Sequence, residues 1–254
     1  MRLLVIGLVA LAGLTATVAQ AERSQKGNLI VSLDGGLSPL ALPRDRPAPV
    51  AVHLEGGLQT SDGQPLPRVT RIELGLPSQG VVSTQGLPRC APRLLRNAKP
   101  PEALAACRDA LVGRGRLQAS VSLPNQDAFS VGARVIAFNG RIDGGRAVLL
   151  HAFTANPPTV AVLPLRLRRQ GGRFGLALVG ELSPALGPWP RLRSFDVTFF
   201  RRYSDRGRLR SYLSASCPIP KSFTAGFFSF AKVSFGLADG RRISTGIARG
   251  CRAR

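Results

Sequence analysis

The chain is poor in the residues on which most enzymatic chemistry depends. It has only two histidines and 14 acidic residues. The His-Glu-x-x-His zinc motif, the Gly-x-Ser-x-Gly nucleophile elbow and the phosphate-binding Gly-x-x-x-x-Gly-Lys loop are all missing from the sequence. We therefore predict no catalytic residues, no metal ligands and no cofactor.

Four residues remain as candidates for catalysis, and each has an ordinary structural interpretation. His53 alternates with apolar neighbours and is expected to face solvent or a groove. His151 shares a strand face with Leu149 and is expected to be a half-buried histidine with its hydrogen bonds satisfied. Glu73 and Glu181 lie in apparent strands, where outward-facing carboxylates commonly pair with arginine.

Long apolar runs are missing after the N-terminus. The run Leu3–Val18 follows one positive charge, Arg2, and ends at Ala19-Gln20-Ala21, the small-x-small pattern that signal peptidases accept. We predict cleavage after Ala21 and a secreted or extracytoplasmic protein without a transmembrane segment; an uncleaved membrane anchor is the alternative. Residues 22–27 are then a polar N-terminal tail and residues 28–254 a single domain.

Cysteine is scarce but even in number. All four cysteines, Cys90, Cys107, Cys217 and Cys251, follow the predicted signal peptide, and an even count in an exported chain favours disulfides. Three pairings are possible; Cys90–Cys107 with Cys217–Cys251 needs the least chain closure. A four-cysteine zinc site is the alternative, but the paired C-x₂₋₄-C knuckles typical of structural zinc do not occur.

Lysine and acidic residues are few, whereas arginine is abundant. The formal net charge of +21 becomes +20 once Arg2 leaves with the signal peptide. Such a charge favours an anionic partner, namely an envelope polymer or a lipid surface, although a GC-rich genome would produce a similar composition. The densest basic segment surrounds one turn and predicts an anion-binding site. Its residues are Arg201, Arg202, Arg206, Arg208 and Arg210.

The same segment offers little to nucleic acid. Stacking on single strands needs exposed rings, and only Tyr203 and Tyr212 are expected to provide them. We therefore predict no specific nucleic-acid binding, and the alternative interpretation of the segment is an ordinary solvated hairpin.

Short alternating runs separated by glycine-containing turns predict a mostly β fold. We expect an antiparallel β-sandwich or a barrel-like pair of sheets with one short helix. The helix is predicted over Pro101–Val112 and closed by Gly113, with an apolar stripe that directs Cys107 towards the body of the protein. The proline-rich segment Ser38–Pro67 brackets one strand, which is expected at a sheet edge because proline cannot donate to a ladder.

Several stretches resemble a family of uncharacterised secreted proteins from actinobacteria, four-cysteine β-rich proteins without an assigned activity. The stretches are Leu37–Arg44, Ala48–Val50, Gly86–Cys90, Ala106–Gly115, Ala137–Gly140, Ser216–Pro218 and Asp239-Gly240 with the terminal Cys251. The resemblance implies export and a single domain, and it carries no catalytic residues.

Two functions remain from different classes. The leading hypothesis is a non-enzymatic extracytoplasmic binding or structural domain that associates with the cell envelope through basic loops. The alternative is a hydrolase that acts on an envelope polymer without a recognisable motif. An enzyme predicts a deep pocket lined by acids, or by a histidine with an acid, whereas a binding module predicts a shallow basic or aromatic face. The sequence does not specify an oligomeric state.

Overall fold

The computed structural model describes residues 22–182, 187 and 189–254, so the predicted signal peptide lies outside the described residues. The first strands are β1 (Glu22–Lys26), β2 (Leu29–Ser38), β3 (Ala41–Leu42), β4 (Ala48–Pro49), β5 (Ala51–Thr60), β6 (Val69–Leu76), β7 (Gly80–Val82), β8 (Leu111–Val121) and β9 (Phe129–Ile142). The remaining strands are β10 (Gly145–Ala155), β11 (Pro158–Arg169), β12 (Leu176–Glu181), β13 (Pro190–Phe199), β14 (Arg202–Asp205), β15 (Arg208–Ser211), β16 (Leu213–Ala215), β17 (Ala225–Leu237) and β18 (Arg242–Ala253). Helix α1 spans Pro100–Cys107, and two 3₁₀ turns span Pro92–Leu94 and Arg108–Ala110.

Thirteen strands form one sheet in the order β1-β2-β5-β13-β8-β9-β10-β11-β12-β6-β17-β18-β3. All of its strand pairs are antiparallel except β18 with β3. Two smaller sheets, β14-β15 and β4-β16-β7, accompany it. The predicted mostly β, antiparallel class is therefore confirmed, and a single large curled sheet provides most of the fold. Within the described ranges, no helix has the length and apolar character needed to cross a bilayer.

The curl brings the two ends of the large sheet together. Strand β18 packs against β1 and β2, although no strand pairing joins them within the described residues. Side chains make the contact instead: Arg249 pairs with Asp34, and Arg241 donates to Asn28 Oδ1 at 2.9 Å. We call this contact the seam.

Two apolar cores lie on opposite faces of the sheet. The larger fills the inside of the curl, where alternate residues of the strands converge on a cavity of only about 50 Å³. The smaller lies under α1, where Leu95 and Ala103 pack on Phe138 and Leu149 of β9 and β10. The nearly filled interior identifies the inside of the curl as a packed core.

Both disulfides confirm the local pairing. Cys90–Cys107 and Cys217–Cys251 have Cα separations of 5.3 and 5.9 Å, within the range that an unstrained bridge requires. Because all four cysteines are consumed, the four-cysteine zinc site is excluded. Two disulfides are consistent with an extracellular protein.

The helix is shorter than predicted. It ends at Cys107, and Leu111 already belongs to β8. Gly113 pairs with Phe199 of β13, and a Cβ at Gly113 would lie 2.7 Å from the Thr198 carbonyl oxygen. Sheet pairing of Leu111, Val112 and Gly113 therefore overrides the helical pattern, and Gly113 serves close strand packing rather than a helix end.

One further prediction about the N-terminal half was wrong. The strand inside the proline-rich segment, β5, lies between β2 and β13 rather than at a sheet edge. The prolines of the segment flank β5 without entering it, so the hydrogen-bond ladder of β5 with its neighbouring strands stays intact. The polar residues Glu22–Lys26 of the N-terminal tail form β1 and pair with β2. Their charged, mostly exposed side chains protect this edge from further pairing.

Candidate functional site

The predicted anion-binding arginines lie on and beside the β14–β15 hairpin. Its two-residue turn, Arg206-Gly207, has φ values of 52° and 75°, as expected for the tight turn of a hairpin. Arg202, Arg206 and Arg208 are exposed, and none of them has an ion pair in the part of the chain that the structure describes. Leu209 is 72% exposed beside them. We call these four residues the hairpin tip.

The other two predicted arginines are held against the body of the protein. Arg210 Nε lies 2.7 Å from Asp205 Oδ2, although its N–H is not aligned for a hydrogen bond. Arg201 donates to the Asp109 carbonyl at 3.4 Å, and its buried Nε has no partner among the described residues. The five arginines therefore do not form one surface cluster, and the available cations are three.

The hairpin is fixed on the protein by its inner side. Tyr203 is buried and donates its hydroxyl to the Gln85 carbonyl at 2.8 Å. Asp205 packs on Gly86, where a Cβ would lie 2.4 Å from the Asp205 Cγ. Tyr212 is also buried, and burial raises the pKa of its hydroxyl. The prediction of two exposed tyrosine rings was therefore wrong, and neither ring is available for stacking on bases.

A second cluster lies on the outer face of the sheet. The register places Glu55 of β5 directly opposite Asp196 of β13, and Asp196 directly opposite Arg116 of β8. His53 Nε2 lies 3.0 Å from Asp196 Oδ1, and the Arg116 side chain is within 3.0 Å of Asp196 Oδ2. His53 thus faces outward as predicted.

The electrostatics of this cluster centre on Asp196. Partial burial alone would raise the pKa of its carboxyl, but hydrogen bonds from His53 and Arg116 outweigh that effect and hold the pKa below its ordinary value. Glu55 is exposed and has no ion pair among the described residues. The charge of the Asp196 carboxylate is therefore compensated by its neighbours, whereas Glu55 has no such partner among the described residues.

The same cluster contains the donor types of a metal site. One ligand atom from each of His53, Glu55 and Asp196 lies within 4.8 Å of the others, and zinc accepts imidazole nitrogen with carboxylate oxygen. Both Asp196 oxygens are already engaged, however, and the Arg116 guanidinium occupies the place next to the carboxylate. The positive charge of Arg116 would repel a metal cation at this position, and the cation could bind only by displacing Arg116. The arrangement is therefore a surface ion-pair network.

The recess beside the network is open. It has a volume of about 330 Å³ and includes Ser32 and Ser194 in its lining. No hydrogen bond joins either serine to His53 within the described residues. The recess therefore has one of the features expected of an enzyme, an acid within reach of a histidine, but it is open, and neither of its described serines is hydrogen-bonded to that histidine.

The other candidate catalytic residues have structural roles. His151 is fully buried rather than half-buried; its Nε2 lies 2.7 Å from the Ala98 carbonyl, and Nδ1 has no partner among the described residues. This histidine ties the segment before α1 to β10. Glu73 and Glu181 both pair with Arg71 on the outer face, as predicted for carboxylates in strands.

No protein-family model matches the chain, and comparisons with curated proteins and with solved structures found no significantly similar protein.

Proposed function

We propose that the protein is an exported, non-enzymatic binding domain that associates with anionic material of the cell envelope through its basic hairpin. One observation carries this proposal. The hairpin tip presents three arginines that form no ion pair with any described residue, on a short hairpin whose inner side is anchored by Tyr203 and Asp205. An anchored loop loses little conformational freedom on binding, so its charges act on a partner at low entropic cost.

The chemistry of the tip indicates the kind of partner. Exposed guanidinium groups bind phosphate or carboxylate oxygens through their forked N–H donors. The formal charge of +20 after signal cleavage adds long-range attraction to any polyanion. A phosphate-bearing or carboxylate-bearing polymer and an anionic lipid surface share this chemistry.

The test compares two triple variants that remove the same charge. In the first, Arg202, Arg206 and Arg208 become Ser; in the matched control, Arg168, Arg169 and Arg173 of the β11–β12 region become Ser. These control arginines are also exposed. Sedimentation with isolated cell wall and with phosphatidylglycerol vesicles measures binding at 0.1 M and 1 M salt.

We expect the hairpin variant to bind on the order of 100-fold more weakly at 0.1 M salt, since each basic residue near an anionic surface contributes about 1 kcal/mol. The control should lose far less. At 1 M salt the screening length falls to about 3 Å and the two variants should converge. Equal losses in both variants at low salt would show that only net charge matters and would refute a hairpin site.

Hydrolysis of an envelope polymer is the second candidate, and the contact of His53 with Asp196 favours it. Incubation of the protein with isolated cell wall, followed by assay of released fragments, tests it directly. Turnover that disappears in a His53→Gln variant would replace the binding proposal with the enzymatic one.

A further inference from the structure

A second surface combines exposed apolar side chains with exposed cations. Phe227, Phe223 and Leu40 are 88%, 59% and 53% exposed. They lie at one end of the protein, around the last residues of β18. The Leu40 carbonyl accepts from the Arg252 backbone N–H at 2.9 Å, and Phe227 lies opposite Gly250 in the β17–β18 register. We call these three residues the apolar end.

The exposure of Phe227 follows from its neighbours. It stands on the outer face of β17, and a Cβ at its cross-strand partner, Gly250, would lie 3.6 Å from the Phe227 ring. Because Gly250 has no side chain, nothing on that strand position covers the ring. The Phe227 ring therefore exposes apolar area to water, and a hydrophobic environment would bury that area.

Phe223 is presented by a loop with a fixed backbone. The Arg44 guanidinium donates to the carbonyls of Ile219, Pro220 and Phe223 at 2.9, 2.9 and 2.7 Å. The Cys217–Cys251 disulfide ties the start of the same loop to β18. With its backbone held in this way, the loop cannot fold back to bury Phe223 without breaking these contacts.

Cations surround the apolar end. Lys221, Arg252 and Arg254 are exposed, and none of them forms an ion pair within the described part of the chain. Asp45 is the exposed acid in the nearby β3–β4 connection. Protruding apolar side chains flanked by basic residues match the two layers of an anionic bilayer, where rings enter the headgroup–acyl boundary and cations meet lipid phosphates.

We propose that the apolar end inserts into the surface of an anionic lipid bilayer. Its side chains project from the protein instead of lining a pocket, so the surface suits a deformable lipid layer better than a protein partner, whose anchor residues need complementary cavities. A hydrated polyanion would satisfy the cations but leave the phenylalanines in water. The inference rests on the proposed function only in assigning an anionic partner, and it uses a different surface.

The experiment uses the exported protein and vesicles of phosphatidylglycerol, with phosphatidylcholine vesicles and isolated lipid-free cell wall in parallel. Phe223 and Phe227 are replaced by Ser. The matched control is a Leu94→Ser, Phe129→Ser variant, which removes two apolar side chains that are 44% and 38% exposed elsewhere on the surface. Co-sedimentation at 0.1 M and 1 M salt measures the partition constant, and thermal unfolding confirms that each variant is folded.

We expect the Phe223→Ser, Phe227→Ser variant to bind phosphatidylglycerol vesicles roughly 100-fold more weakly, about tenfold or 1.4 kcal/mol for each ring. The binding that persists at 1 M salt should disappear, because only the apolar part survives screening. Binding of the double variant to cell wall should not change, and the control variant should bind vesicles as the parent protein does. Unchanged vesicle binding by the double variant overturns the inference, as does an equal loss of vesicle binding in the control variant.

The two proposals fail separately. If the hairpin variant still binds cell wall and vesicles while the apolar-end variant no longer binds vesicles, the proposed function is refuted and the lipid inference stands. The reverse result leaves a polyanion-binding hairpin on a protein that does not insert into lipid.

Discussion

Arg249 of β18 forms an ion pair with Asp34 of β2, two strands that lie one place in from opposite edges of the large sheet. Arg249 also donates to the Gly35 carbonyl at 2.6 Å and to the Ala248 carbonyl at 2.8 Å. The two charged side chains are only 19% and 22% exposed. The curled sheet is therefore joined at its seam by side chains at a partly desolvated position.

Replacing Arg249 with Met should lower the free energy of unfolding by about 2 kcal/mol, because it removes hydrogen bonds to a charged group and leaves Asp34 without its partner. Urea denaturation measures the change. Arg242→Met on the same strand is the control; its side chain is exposed, so we expect a change within about 0.5 kcal/mol. Equal losses from the two substitutions would mean that the seam pair contributes no specific stability.

A close approach of β8 to β13 forms the base of the outer network. A Cβ at Gly115 would lie 2.2 Å from the Asp196 carbonyl oxygen and 2.8 Å from Val197 Cα. Gly115→Ala must therefore push two paired strands apart, and we expect a loss of roughly 1–3 kcal/mol in the free energy of unfolding.

Gly36→Ala provides the matched control for this close approach. A Cβ at Gly36 meets nothing within 4 Å, and its φ lies outside the left-handed region. Alanine there should be neutral or slightly stabilising, since it restricts the unfolded chain. Denaturation midpoints of the two variants that coincide would contradict the packing argument.

Features that depend on the alternation of residues along one strand, or on short loops, could be predicted from the local sequence pattern. The period of two placed His53, Glu73 and Glu181 on the outer face, and the short loops favoured the two disulfides that the structure contains. These features depend on residues close in sequence or on the face of one strand. They do not require the strand order.

Features that depend on the strand order could not be predicted from the sequence. Asp196 contacts His53 across 143 positions of sequence, and that contact exists only because β13 pairs with β5. The spacing His53-x-Glu55 marks one shared strand face, but nothing local identifies Asp196 or Arg116 as the partners. Tyr203 was likewise expected at the surface. Its hydroxyl bond to Gln85 depends on how the hairpin docks on the protein, which no local pattern predicts.

The stability that Asp196 contributes to the fold should depend on pH. Its carboxyl has a lower pKa in the folded protein than its ordinary value of 3.8, because His53 and Arg116 stabilise the ionised form against the opposing effect of burial. The unfolded chain therefore takes up this proton at a higher pH than the native state does. The contribution of Asp196 is complete above pH 3.8 and is lost as the pH falls through the folded-state pKa.

Comparison of the parent protein with an Asp196→Asn variant isolates this contribution from those of Asp62 and Asp239, whose pKa values are also lowered. The difference in unfolding free energy should be about 1 kcal/mol or less near neutral pH, because Arg116 is 76% exposed and solvent screens its charge. The difference should shrink below pH 3.8, and Arg116→Gln should reduce it at every pH above that value. Urea titrations at a series of pH values provide the measurement. A difference that grows in acid, or one that Arg116→Gln leaves unchanged, would show that the ion pairs do not set the acidity of Asp196.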